Sequence, residues 1–438
     1  MAIIRMDLTM RSYKSSKSDF RARRRFGPTM AALGALVFAG CDPSSFLEVS
    51  DPGAMSASDA QSAANAPTLM NGVVGDFECA LGAFIVSMGA LSEELGDRGF
   101  SGDTWFIDRR DIMPSDVYGN VDCTGRPSLY VPISRARWGA DNITMLLASS
   151  EWSEVSGKPL MSAQAALYSG FSYMMLGMSM CSAAIDGGAE VSNSALLTSA
   201  EAKFTEAIAL AGTAGSTDIV NAAKVGRARA RLGLGNGSGA VTDAQDVPEG
   251  FKFETVSTSS GNSRAYNRVF EMTNQSQEYG IQEESWTLLT GGVEDPRTKS
   301  WDSGNIATGG LAIWHQDKYT SRGQSLPIAH WEEAQLIIAE VSGGQTAVDI
   351  INKLRAPYAT LPQFSSTDEA AITAEVLRER RRELWLEGFA AWDDYRLNLP
   401  LNPAVGTPYQ ITVKGGIYSD SRCFPLPDIE RFNNPNIS

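Results

Sequence analysis

Four small or apolar positions recur at one offset and point to packed helices before anything else in the chain does. Ala166, Gly170, Leu176 and Gly177 reappear 56 residues later as Ala222, Gly226, Leu232 and Gly233. Small residues at turn spacing let helix backbones approach closely, and a large residue one turn on fills the gap between them. Between the two copies, Ala200–Leu210 places Ala202, Phe204, Ala207, Ile208 and Leu210 toward one face. A further helix pair is predicted over His330–Val341 (Ala334, Leu336, Ile337, Ile338, Ala339) and Thr346–Arg355 (Ala347, Ile350, Ile351, Leu354). Residues 60–95 are densely apolar with glycine interruptions, which predicts two packed helices, and Ile133–Ser150 returns to helical spacing.

Helix pairs of this kind resemble tetratricopeptide repeats, whose usual period is 34, and plain antiparallel helix packing explains the spacing equally well. Either way the predicted fold class is mainly α: a tetratricopeptide-like scaffold of helix pairs decorated by long loops and short elements. The scaffold is expected over about 60–235 and 328–396. A loop-rich insertion is expected over about 236–327, where Gly, Ser, Thr and Asn gather, and a Pro- and Asn-rich surface segment over 397–438. The stretch from Gly96 to Pro132 is rich in Gly, Asp and Pro, and loops of that length are usually functional when ordered.

The first forty residues read as an address. Eight basic and two acidic groups precede the apolar run Met30–Gly40, followed by Cys41. A basic region, a short apolar core and small residues at the end form a secretory signal. The run is far short of the ~18–20 residues of a membrane-spanning helix, and no other segment is expected to reach that length. Val37-Phe-Ala-Gly-Cys41 resembles a bacterial lipobox, in which the cysteine becomes the lipidated first residue; a tether over 41–58 follows. Acyl chains contribute about 0.8 kcal/mol per buried CH₂ and would hold a body at a membrane surface.

Charge excludes one class of partner. The whole chain carries 37 basic and 51 acidic groups, and without its basic leader the remainder stands at −20. A body this acidic is unsuited to nucleic acid, whose binding depends on Lys and Arg displacing counterions from phosphates. Two histidines, His315 and His330, make a His-rich metal site or a His-dependent triad improbable, and no metal or other cofactor is expected. Cys79, Cys123, Cys181 and Cys423 permit two disulfides in three pairings, or buried free thiols.

Motifs of catalysis are missing. There is no His-Glu-x-x-His, no Gly-x-Ser-x-Gly elbow and no phosphate loop, so the chain is not expected to be an enzyme. Its most charged segment runs from Glu375 to Phe389. Glu379, Glu383 and Glu387 repeat every four residues, and Arg380–Glu383 and Glu379–Arg382 are predicted as i,i+3 pairs clamping a helix to the scaffold.

At this segment the chain resembles the SusD/RagB family. Arg380-Arg-Arg-Glu-Leu-Trp-Leu-Glu-Gly-Phe389, with Trp392-Asp393 and Arg396, is similar to that family's C-terminal signature. Phe46–Pro52, Asp243–Phe251, Asn267, Asp295-Pro-Arg297, Lys318-Tyr319, His330–Glu340, Arg422–Pro427 and Asn434-Pro-Asn436 resemble other family segments in the expected order. The resemblance implies a lipid-anchored protein of the outer membrane, exposed at the cell surface. It would capture an oligosaccharide or peptide nutrient and deliver it to a SusC-like TonB-dependent transporter. A scaffold lipoprotein that organises an envelope complex without binding small ligands is the alternative.

Sugar C–H faces stack on aromatic rings while polar groups read hydroxyls. Trp138, Trp331, Trp385 and Trp392 lie at helical spacing and are expected in the core. Trp105, Phe106 and Arg109, and Trp301, Trp314 and Tyr319, lie in loop-rich regions and are the candidate ligand-binding residues.

Overall fold

The computed structural model describes residues 61–99, 105–282 and 288–437; the signal 1–40, Cys41 and the tether 41–58 lie outside the described residues. The described chain begins with α1 (Ala66–Leu91), a single helix of 26 residues where glycine interruptions predicted two. Two of those glycines mark close contacts and do not break the helix. A Cβ on Gly82 would lie 2.7 Å from Arg268 Cβ, and one on Gly89 would lie 2.9 Å from Leu95 Cδ1. Contrary to the sequence expectation, Ala63–Leu91 is long and apolar enough to cross a bilayer, but 78% of its most apolar window is buried inside the protein. It is the central core helix.

The scaffold is then laid down serially. Each of α2 (Tyr130–Ala148), α3 (Lys158–Ser179), α4 (Asn193–Ala214), α5 (Thr217–Gly233) and α6 (Gly237–Gln245) packs on the helix before it. The repeat explains the seam. Phe204 of α4 is fully buried between Gly170 of α3 and Gly226 of α5, and a Cβ on either glycine would collide with its ring. Leu197 is held the same way: Cβ atoms on Gly177 and Gly233 would lie 2.7 Å and 2.9 Å from its methyl carbons. The recurring small residues are thus matched notches on the two neighbours of one helix.

Gly235–Gly239 was expected to open the insertion and is instead a helix boundary. Gly235 has φ 76°, and the Asn236 side chain accepts the Gly239 N–H at 3.1 Å, capping α6. The scaffold therefore continues to Gln245. After the insertion, α7 (Trp331–Ser342) packs on α5 and α6. Next, α8 (Gly344–Arg355) and α9 (Glu369–Glu383) pack on α7, and α10 (Ala390–Arg396) returns to α1.

The strands are short: β1 (Leu95–Asp97), β2 (Ser182–Ala184), β3 (Glu190–Ser192), β4 (Lys252–Glu254), β5 (Tyr279–Ile281), β6 (Leu289–Thr290), β7 (Val293–Glu294), β8 (Ser300–Ile306), β9 (Ala312–Gln316) and β10 (Pro327–His330). They form antiparallel pairs β1–β5, β2–β3, β4–β10, β6–β7 and β8–β9.

Cysteine pairing resolves to Cys79–Cys123 and Cys181–Cys423. The second bridge, beside a parallel contact of Met180 with Phe424, draws the C-terminal segment inward. That segment was expected to run over the surface, yet Phe424 and Leu426 lie in the main core, and Tyr409, Ile411 and Tyr418 form a small second cluster. Trp331, Trp385 and Trp392 are buried as expected. Trp138 is not, standing 51% exposed on the outer face of α2.

The charged signature locks distant parts of the chain together. Helix α9 stops at Glu383, and the chain reverses through Leu386 (φ 55°) and Gly388 (φ 84°), so Glu387 never joins Glu379 and Glu383 on one helical face. The predicted i,i+3 pairs give way to long-range ones. Glu379 accepts hydrogen bonds from Arg297 of the insertion and Arg355 of α8. Arg380 grips Asp393 of α10 at 2.9 and 3.0 Å. Arg381 reaches Asp394 and Glu93, and Arg396 pairs with Glu340 and Asp393. Burial explains the choice: an ion stripped of water needs several strong partners, and long-range pairing supplies more than a helix surface can.

Candidate functional site

The β8–β9 hairpin carries the most accessible aromatic face among the six candidates. Trp301 pairs with His315 across the hairpin and Asp302 pairs with Trp314. Because alternate residues of a strand face opposite sides, Trp301 and Trp314 lie on opposite faces of the ribbon and cannot form one platform. Trp314 packs against the core. Trp301 is 44% exposed and stands edge-on to the buried His315 ring, centroids 4.6 Å apart.

Around that ring the polar groups are ordered. Asn305 Nδ2 donates to Gln277 Oε1 at 3.2 Å, and Gln277 Nε2 lies 3.1 Å from His315 Nε2. An amide nitrogen only donates, so this arrangement assigns His315 Nε2 as acceptor and the ring as neutral. Burial also pushes the His315 pKa down, in the same direction. Gln277 holds a left-handed backbone, φ 57°, of the strained kind that clusters at ligand-holding positions. The strand register slips between Asp302 and Ile306, a bulge that re-aims Asn305 and Ile306.

Next to this chain a pocket of about 270 Å³ is lined by Arg98, Ser276, Gln277, Glu278, Asn305 and Ile306, among others, with the Glu278 carboxylate paired to Arg126. Arg98 is fixed beneath it, donating from Nε to the Ala312 carbonyl at 3.2 Å and from Nη1 to the Asp97 carbonyl at 2.9 Å. Amide, hydroxyl and apolar groups beside an exposed indole can stack a sugar ring and bond its hydroxyls.

The other candidates are placed differently. Trp105 is partly buried against the Tyr409–Ile411–Tyr418 cluster, and the Arg109 guanidinium lies 3.8 Å over its ring. Arg109 is itself held by the Gly415 carbonyl and Asp111. Both Trp105 and Leu311, from the tip of the β8–β9 hairpin, pack on that same cluster. Phe106 is buried beside Tyr118, and Tyr319 is buried with its hydroxyl on the Leu386 carbonyl at 3.2 Å, so neither ring offers a free face. Gln277, Asn305 and Arg98 were not singled out in the sequence, and His315 was named there only as one of two histidines. They gather only through hairpin register and a left-handed turn, which leave no periodic signal.

Beneath Trp105 and Arg109, Asp108 ties the region together. Its carboxylate accepts from Asp97 N–H, Gln282 Nε2, Tyr409 O–H and Gln410 Nε2. Burial outweighs these bonds and raises its pKa to about 6.

No protein-family profile matches the chain, and a sequence search of curated proteins finds no match. Solved structures do match. A SusD superfamily protein from Bacteroides thetaiotaomicron superposes with a TM-score of 0.67 at 16% identity, covering 86% of this chain and 99% of its own. A SusD-like carbohydrate binding protein from Bacteroides vulgatus gives 0.65 at 15% identity, covering 86% and 97%. A laminarin binding SusD-like protein gives 0.61 at 15% identity, covering 85% and 98%. The helical scaffold, its insertion and the C-terminal segment together have the SusD-like fold.

Proposed function

We propose that this protein is a substrate-binding lipoprotein of the SusD/RagB family that captures oligosaccharides at the cell surface for import. The observation that carries this reading is the superposition of 86% of the chain on a SusD-like carbohydrate binding protein. The Trp301 face supports it, because an exposed indole beside Gln277, Asn305 and the neutral His315 suits an uncharged, hydroxyl-rich ligand. Trp301 is the stacking residue in this reading, and Trp105 with Arg109 supports the neighbouring surface. Lipidation at Cys41 anchors the body to the outer membrane, and a SusC-like TonB-dependent transporter receives the ligand. The protein binds its ligand without transforming it.

Two measurements test this. Titration of the purified chain against neutral oligosaccharide and peptide panels should give saturable binding to an oligosaccharide. Copurification from the native envelope should recover a TonB-dependent transporter. No binding across both panels, with a stable complex containing some other envelope protein, would favour the scaffold alternative.

A further inference from the structure

A second cleft lies where β4, β10 and α7 meet the end of α9, and it shares no lining residue with the hairpin pocket. It measures about 340 Å³, within the range of small-molecule sites. Its floor is a chain of paired ions. His330 sets one ring nitrogen 3.0 Å from Glu332 and the other 3.0 Å from Glu387. Lys318 Nζ donates to Glu387 at 2.7 Å and to the Trp385 carbonyl at 2.7 Å, and Arg297 donates to Glu383 at 2.9 Å. With a carboxylate at each nitrogen His330 is an imidazolium, its pKa raised to about 10, and the Glu387 carboxyl is held down to about 2.

The rim is different. Lys252 and Glu254 stand two residues apart on β4, hence on one face, and both line the cleft with Ser325 and Tyr358. Among the described residues, none of these four side chains makes a hydrogen bond or a salt bridge, whereas every floor ion does. Polar groups of both signs converge on an open space without satisfying one another.

The floor's balance decides what the space suits. Each cation is already matched by a carboxylate, so a lone ion of either sign meets like charge beside its partner. Paired carboxylates nevertheless keep lone pairs, and the rim offers a carboxylate acceptor, an ammonium donor and two hydroxyls that do both. A ligand that donates and accepts from adjacent atoms satisfies such a set, and vicinal hydroxyls do this at the scale of one sugar ring. We infer that this cleft is a second binding site, taking a single neutral sugar unit, either a free monosaccharide or one end of a chain. The inference does not depend on the hairpin face being a glycan site.

The test is calorimetric titration of the purified chain with methyl α-glycosides of glucose, galactose and mannose, with glycine and sodium sulfate as charged probes. Lys252→Met and Tyr358→Phe remove rim groups that hold no partner, so both variants should melt like the parent. At least one glycoside should saturate, each variant should weaken it fivefold or more, and Trp301→Ala should leave it unchanged. Three results would overturn the inference. These are the absence of saturation by any glycoside, affinity indifferent to both rim variants, and glycine or sulfate binding more tightly than the sugars. Oligosaccharide affinity lost in Trp301→Ala but retained in the rim variants tests the hairpin reading separately.

Discussion

Replacing Glu379 by alanine should be among the most damaging single changes outside the apolar core. Its carboxylate is fully buried, with one oxygen accepting from Arg297 and the other from Arg355 Nε at 3.0 Å and Nη2 at 2.8 Å. Truncation leaves Arg355, 2% exposed, with only the Glu375 carboxylate and a carbonyl. Arg297 retains Asp295 and Glu383 but loses one of its two fully buried carboxylate partners. Removing one member of a buried ion pair costs about 3–5 kcal/mol, because the remaining charge stays out of water. With a urea m-value of about 3 kcal/mol/M, at the upper end for small proteins, the midpoint should fall by roughly 1–1.7 M. The comparison is Glu249→Ala, which breaks the exposed Glu249–Lys353 pair and should cost about 1 kcal/mol or less. Equilibrium urea unfolding followed by tryptophan fluorescence measures both. The double variant Arg355→Met/Glu379→Leu should recover part of the loss, since an apolar replacement removes the stranded charge. A Glu379→Ala loss no larger than that of Glu249→Ala would refute the interlock.

Three further outcomes follow from the same geometry. Phe204→Ala should cost about 3–5 kcal/mol, because the notches at Gly170 and Gly226 cannot close over the missing ring; the readout is again the urea midpoint. Glu94 is fully buried, and burial raises its pKa to about 8 from an ordinary 4.5. The folded state then holds a proton that the unfolded state has released between those values, so this group's contribution to stability falls as pH rises across that window. The slope is up to about 1.4 kcal/mol per pH unit. Glu94→Gln keeps an acceptor for the Leu386 N–H and should flatten the decline in midpoint between pH 6 and 8 relative to wild type. Replacing both Cys181 and Cys423 by serine should cost about 2–5 kcal/mol and raise hydrogen exchange around Phe424, because that bridge closes a loop of 242 residues.

What the sequence revealed divides along the range of the interactions. Gly170, Phe204 and Gly226 announce a helical seam because the small and large residues that fit together recur along neighbouring helices. The Arg/Glu signature announced a clamp but not its partners. Glu379 meets Arg297 from 82 residues away and Arg381 meets Glu93 from 288 away, and no local spacing encodes either pairing. Glycine was the misleading signal: in α1 it allows close approach of Arg268 and Leu95 where it suggested a break. The candidate face was legible only as a set of loop aromatics. Strand alternation then separated Trp301 from Trp314, and folding buried Phe106 and Tyr319. Trp138, at helical spacing, turned outward because amphipathic spacing alone does not say which face of α2 meets α1 and α3.

Capture of an oligosaccharide on the Trp301 face can be read from isothermal titration of one binding oligosaccharide against three proteins. Wild type and Trp138→Ala, which removes a comparably exposed indole from the scaffold, should bind alike. Trp301→Ala should lose about 2 kcal/mol, roughly thirtyfold in Kd. Unchanged affinity in Trp301→Ala, or an equal loss in Trp138→Ala, would rule out Trp301 as the stacking residue.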